Sequence, residues 1–483
     1  MGVSGSTWSR ARWLLLAAGP LGAALAVGTC REPARREPQD LTAPVVGIVF
    51  PVQATGAYDR DSNGLVDVEV EWSDSSGKVD PATVRVVCAG CVPGVAADTN
   101  LAQGWRVVRL DSAGAVFEET IPLLMRAGQR LLGVSVADTA GNRSIGATVS
   151  FTLPPGDYHR TIDLQYPAQW PQERGVDLAI TPDGRKGFAP FENGHVAVFD
   201  PDGVQPTHYI TNVSNSIVGS FISIDSGTGL AYVAGGGWET AGFTVLDTRT
   251  EQVVRSVAVG MGAVSVWQSG SRVFAGEACT NGRVFVYDKA TLAQLGRVEV
   301  GASSTGSVCP NTIVFALTRD GRLGWAGIVM GGIFSFDAVN YTLLRRYDLF
   351  PPEGDGVYNS VSSMVMAGDR WLYVAEDQLG LEEFDTGTGR ATARYPSDPR
   401  AYALVKKLSL SPDGRLLFAS TDPATAVGDH QSAPLLFTVP GLQIRHRFPT
   451  RPGIVDGVAF HPDGKRVFQM AGFAVQVYLV RPE

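Results

Sequence analysis

The sequence predicts an all-β protein in which a β-sandwich precedes a seven-bladed β-propeller. Three observations predict it. The stretch Phe221 to Val259 resolves into four short runs of alternating apolar residues, Phe221–Ile224, Leu230–Val233, Phe243–Leu246 and Val253–Val257, separated by Gly, Asp, Ser and Thr. A period of two bounded by such residues is the pattern of half-buried antiparallel strands. Near-copies of this plan recur at intervals of roughly 40 to 50 residues, the spacing of four-stranded propeller blades. Finally, strand-and-turn segments repeat at Leu178–Gly184, Ile222–Gly227, Val264–Gly270, Val314–Gly321, Ser363–Gly368, Leu408–Gly414 and Val458–Gly464, seven in all.

Length and charge narrow the partners. At 483 residues the chain has room for two or three domains, each with its own core. A net charge of -8 excludes nucleic acid as the default partner, because phosphate binding needs a concentrated basic surface.

Taken in order, residues 1–29 read as an export signal. Arg10 and Arg12 flank the apolar run Trp13 to Val27, which Gly19-Pro20 interrupts. The run is shorter than the ~20 residues a membrane-spanning helix needs. Cleavage after Ala24-Leu25-Ala26 gives a secreted protein; cleavage before Cys30 gives a lipid-anchored one. Val27-Gly28-Thr29-Cys30 resembles a bacterial lipoprotein signal, which implies acylation of Cys30, although Thr29 stands where Gly, Ala or Ser is preferred. Residues 30–44 are polar and proline-rich, a tether in either case.

Residues 45–153 form the sandwich. Leu65 to Trp72 alternates apolar and acidic residues, and Thr83–Val87 and Arg130–Val136 repeat the alternation. Asp74-Ser75-Ser76-Gly77, Asp80-Pro81-Ala82-Thr83-Val84 and the Asp138–Asn142 turn resemble bacterial immunoglobulin-like modules, a resemblance that implies a spacer or adhesive role. Asp59, Asp61, Asn63 and Asp67 occupy alternate positions around Gly64, as in the first part of a calcium loop, but Val70 stands where the closing glutamate belongs. The leading reading of this run is a solvated acidic turn entering a strand, with calcium binding as the alternative. Cys88 and Cys91 follow a strand rather than opening a helix, so in an exported chain they are expected to form a local disulfide.

From residue 157 to 483 the repeats take over. Pro-Asp-Gly suits their tight turns because Pro presets φ and Gly accepts positive φ. The third strands end alike, at Phe199-Asp200, Leu246-Asp247, Tyr287-Asp288, Phe336-Asp337 and Phe384-Asp385. These turns and strand ends resemble the YVTN/YncE-like propellers and, more loosely, WD40-like repeats, which implies the fold and leaves the ligand undefined. The final copy, Val458 to Val480, has room for three strands only, so its outermost strand must come from elsewhere. Arg160-Thr161-Ile162-Asp163-Leu164 matches Arg345-Arg346-Tyr347-Asp348-Leu349, and Tyr158 to Tyr166 is therefore expected to close the ring. Cys279 and Cys309 are expected in loops on one face, as a disulfide or as two buried thiols. A bond there would close a loop of about 30 residues and stabilise by roughly 3 to 4 kcal/mol.

Long, dissimilar loops on that upper face are where ligand contacts belong. Glu192, Trp238, Glu239, Glu277, Glu376, Asp377, Asp422 and His430 fall there. The leading reading is an exported, envelope-anchored binding protein whose upper loops receive a protein, peptide or glycan, with membrane contact only through the lipid anchor. A lactonase-like, metal-dependent propeller hydrolase is the competing class, and a structural or adhesion component of the cell surface is the third. No nucleophile elbow, phosphate-cradling glycine loop or HExxH motif accompanies these residues.

Overall fold

The computed structural model describes residues 40–53, 55–75, 78–168, 170, 174–213, 221–235, 241–260, 265–276, 282–300, 314–328, 332–347, 361–376, 380–397, 403–422, 431–452 and 455–483. Residues 1–29, Cys30, Trp238, Glu239, Cys279, Glu277, Cys309, Asp377 and His430 lie outside them. Thr42–Glu483 forms one compact unit, and of the unit Met1–Leu41 only Asp40 and Leu41 are described. Among the described residues the fold is all-β, with two short 3-10 turns and no α-helix.

The first part is two sheets face to face. Val45–Phe50, Asp67–Ser73, Gly114–Glu118 and Arg106–Leu110 make one, and Val79–Val87, Gly128–Asp138 and Ala147–Leu153 the other. The acidic alternation seen in the sequence works as period two requires: Val68, Val70 and Trp72 enter the core while Glu71 faces water. They meet Val84, Val86, Leu132, Val134, Phe151 and Leu153 from the opposite sheet. Cys88 and Cys91 are paired as a disulfide with Cα atoms 5.5 Å apart, at the end of the strand Val79–Val87.

Seven four-stranded antiparallel sheets follow, giving a propeller-like arrangement. Their innermost strands are, in order, Ala179–Ile180, Ile222–Ile224, Ser265–Ser269, Val314–Leu317, Val361–Ala367, Leu404–Leu410 and Val455–Phe460. Each neighbours the next, and the last neighbours the first. Apolar layers fill the gaps between sheets, for example Phe274, Val286, Phe315 and Phe336 between the third and fourth. The layer between the seventh and first combines Ile162, Phe468 and Val475 with Leu178, Phe191 and Phe199.

The seventh sheet takes its outer strand from Gly156–Asp163, which pairs antiparallel with Ala474–Val480 and sets Ile162 opposite Val475. The turns explain the sequence repeats. Asp247, Asp288, Asp337 and Asp385 each accept backbone N–H groups two or three residues on. Four residues after each aspartate the chain turns left-handed, at Glu251, Leu292, Tyr341 and Gly389. In the other repeated turn Asp183, Asp320 and Asp413 accept the hydroxyls of Thr181, Thr318 and Ser411. Glycine has a second use where backbone and ring must touch: a Cβ on Gly187 would lie 2.0 Å from the Phe199 ring, and one on Gly324 2.3 Å from Phe336.

Sandwich and sheets meet in a packed junction rather than a loose hinge. Arg481, fully buried, donates from Nη2 to Glu119 Oε2 at 3.0 Å and to the carbonyl of Gly64 at 2.6 Å. Its Nη1 reaches Glu119 Oε1 at 3.2 Å. Glu119 also accepts the backbone N–H groups of Val66 and Met125. Around this pair Lys465 Nζ donates to Pro122 O, Ala127 N to Pro482 O and the Tyr58 hydroxyl to Asp157.

Candidate functional site

The seven inner strands enclose a channel of about 440 Å³. Its wall is mostly small or apolar, with Ser223, Gln268, Ser362, Ser363 and Ser409 as the polar interruptions. Charge collects at one end. Asp177 precedes the first inner strand, Lys407 lies midway along the sixth and Asp456 early in the seventh. Ring closure brings these together, because a Cβ on Gly457 would sit 2.6 Å from the Asp177 backbone.

The mouth carries both signs. Burial pushes the Asp177 carboxyl above its usual range, against the pull of Lys407 and the backbone N–H groups of Ile222 and Leu178. Burial likewise raises Asp456, opposed by Arg174, Lys407 and Lys406. Arg174 stands 3.5 Å from Asp456 and donates from Nε to Glu192 at 2.9 Å. The Lys407 ammonium lies 4.3 Å from the centre of the Phe221 ring, a cation–π contact. Lys407 lines the channel, and among the described residues its ammonium forms no ion pair. An ammonium beside half-buried carboxylates can orient a small polar ligand of mixed charge at a rim whose walls are apolar.

This end of the channel is the one opposite the sandwich. Lys465, which touches Pro122 of the sandwich, lies beyond the far end of the inner strand Val455–Phe460, near whose start Asp456 stands.

The residues singled out in the sequence scatter. Glu192 joins the mouth, tied to Arg174. Asp422 ends the second strand of the sixth sheet. Glu376, expected on a loop, instead closes the strand Trp371–Glu376 and is completely buried. Its neighbour across the sheet diagonal, Glu382, is 1 % exposed. Burial is the main cause that raises both carboxyls, with mutual repulsion adding to it at Glu376 and Arg394 opposing.

Asp59, Asp61 and Asp67 do converge, each offering a carboxylate oxygen within 4.8 Å of the others. Their oxygens also hold the turn: Asp59 accepts Gly64 N–H at 2.6 Å and Asp67 accepts Arg60 N–H at 2.8 Å. The turn in turn docks on the seventh sheet, since the carbonyl of Asn63 bonds His159 Nδ1 at 2.7 Å.

Asp177, Lys407, Asp456, Glu382, Arg481 and Glu119 were not singled out by sequence. One signal was available for Glu382: it stands in Leu381-Glu382-Glu383-Phe384-Asp385 where the equivalent strands carry Thr244, Phe285 and Phe334. Apart from Glu192, the mouth offered none, because its members lie far apart in the chain.

A scan against protein-family models and a search of curated proteins each found no match to this chain.

Proposed function

We propose that the chain is an exported, lipid-anchored binding protein of the bacterial envelope, in which an immunoglobulin-like sandwich carries a seven-bladed β-propeller whose channel mouth seats a small polar ligand or the end of a peptide or glycan. The supporting observation is the placement of Lys407 over Phe221, beside Asp177 and Asp456, at the channel end remote from the sandwich. The ammonium supplies donors to an anionic or hydroxylated group and the carboxylates receive a cationic one, while the rigid strands hold both in place without ordering cost. Export and anchoring rest on the N-terminal run and on Cys30.

Two measurements test this. Thermal-shift screening of the purified chain against short peptides, amino acids and glycans should give ligands whose shift disappears in Lys407→Met. Stabilisers that act equally on Lys407→Met, or a screen in which none acts, would contradict the ligand seat. Labelling of producing bacteria with an alkyne fatty acid should mark the wild type and not Cys30→Ala; an unlabelled wild type would contradict the anchor.

A further inference from the structure

Two carboxyls, Glu376 and Glu382, meet inside an apolar layer between sheets. In the pairing of Trp371–Glu376 with Gly380–Asp385, Glu376 opposes Gly380 and Glu382 opposes Val374. Both side chains therefore project from the same side of the fifth sheet. That side also carries Leu372, Val374 and Phe384, which pack with Val314, Trp325 and Ile333 of the fourth sheet. Glu376 also opposes Val361, the first residue of the inner strand, so the pair lies at the end of the sheet that carries the channel mouth.

Arg394, opposite Glu382 on the outer strand, is largely buried and holds its Nε 4.0 Å from Glu382 Oε1. Among the described residues, the fourth sheet adds the Tyr347 phenol to this layer, with the Arg345 guanidinium 4.9 Å from the centre of its ring. The adjacent Glu383, equally buried but on the other side of the fifth sheet, accepts from Thr392 Oγ1 at 2.7 Å and from Gly441 N–H at 2.6 Å. None of the four oxygens of Glu376 and Glu382 has such a donor. Ionised carboxylates only accept, so neither can bond the other until one carries a proton.

Electroneutrality fixes the number of protons. With both carboxyls ionised, the trio with Arg394 carries one net negative charge in an apolar layer; with both protonated it carries one net positive charge. A single proton makes it neutral, turns one carboxyl into a donor for the other and leaves a carboxylate facing the guanidinium. Burial raises both carboxyls above the ordinary range, and repulsion from Glu382 adds to it at Glu376, as this arrangement requires.

We propose that Glu376 and Glu382 share one proton beside Arg394, and that this proton latches the fifth sheet to the fourth. Raising the pH sends the proton to solvent and leaves two like charges in the layer, so the latch opens on the alkaline side. The sign follows from linkage: a carboxyl raised in the folded state contributes its full stability at low pH and loses it as pH climbs through the folded value. The latch is independent of whatever the channel mouth binds.

Infrared spectroscopy of the full chain, made with glutamate carrying a heavy carboxyl carbon, tests this without any substitution. At pH ~7 a protonated-carboxyl band should move with the label, which separates it from the buried aspartates Asp177 and Asp456. The lack of a label-sensitive band would overturn the proposal. Glu376→Gln should abolish that band; its persistence would assign the proton to another glutamate and overturn the proposal too. Glutamine at this position mimics the protonated member, and its amide can donate to Glu382. The urea midpoint of Glu376→Gln should therefore fall less than that of the wild type between pH ~7 and pH ~10. An equally steep alkaline fall in both would contradict the latch.

Discussion

Arg481 and Glu119 meet where water reaches neither, their side chains joined by two hydrogen bonds of 3.2 and 3.0 Å. One comes from the end of the last sheet and the other from the sandwich, so the pair fixes the orientation of two parts that sequence alone would leave free to swing. Both charges have further partners, Gly64 O for Arg481 and two backbone N–H groups for Glu119, and these added bonds, which leave Arg481 Nε as the unpaired donor, make the buried pair tolerable.

Removing one member should therefore cost more than the pair is worth. Arg481→Leu leaves Glu119 charged, buried and uncompensated, and should lower stability by about 3–5 kcal/mol. Scanning calorimetry should show the loss, and Arg481→Leu/Glu119→Gln should recover much of it. Equal losses in single and double variants would show that the charge was not at issue.

Alternation in the closing strand gives a paired test. Ile162 lies in the layer between the seventh and first sheets, whereas Thr161 faces solvent. Ile162→Ala should cost about 2–4 kcal/mol in urea denaturation, and Thr161→Ala no more than about 0.5 kcal/mol.

The Gly324–Phe336 contact is a matter of volume. Alanine at 324 would press a methyl group into a ring that is completely buried and cannot swing aside. Gly324→Ala should destabilise by about 1–3 kcal/mol, with Phe336→Leu partly relieving the double variant. An additive double variant in denaturant titrations would argue against the clash.

Acid stability should report the tie between the first two sheets. Glu251 accepts from Lys186 Nζ at 2.6 Å and from His208 Nε2 at 2.5 Å. Burial alone would raise its carboxyl, but these two partners win and hold it below the ordinary value. A depressed carboxylate stabilises the fold above its unfolded pKa of about 4.3 and loses that contribution as pH falls through the lower folded value. Glu251→Gln should accordingly lower stability at neutral pH, by no more than about 1 kcal/mol given the exposure of His208. It should also flatten the fall in stability on acidification. A wild-type curve and a Glu251→Gln curve running parallel below pH ~5 would contradict the linkage.

Much of this architecture was legible because turn chemistry is local. Aspartate at the end of a third strand, and Pro-Asp-Gly after a first strand, report a hydrogen-bonded turn from a handful of neighbouring residues. The likeness of Arg160–Leu164 to Arg345–Leu349 was legible for the same reason, since outer strands share one alternation. The site was not, because it is made by closure. Asp177 and Asp456 are brought together only when the last sheet docks on the first, and nothing in either segment announces the other. Glu376 misled in the opposite direction: its place before a loop suggested exposure, whereas the strand carries it into a layer between sheets. Arg481, directly after the apolar run Ala474–Val480, gave no sign that its partner lay in another part of the chain.

The central claim is that sheets joined in a circle, completed by Gly156–Asp163, build the channel and its charged mouth. Hydrogen exchange of the intact chain measures this most directly. Amides of 156–163 that pair with Ala474–Val480 should exchange slowly and together with that strand, at the pace of the sheets rather than of the sandwich. Rapid exchange across 156–163, with Ala474–Val480 still protected, would mean that the ring is not closed there.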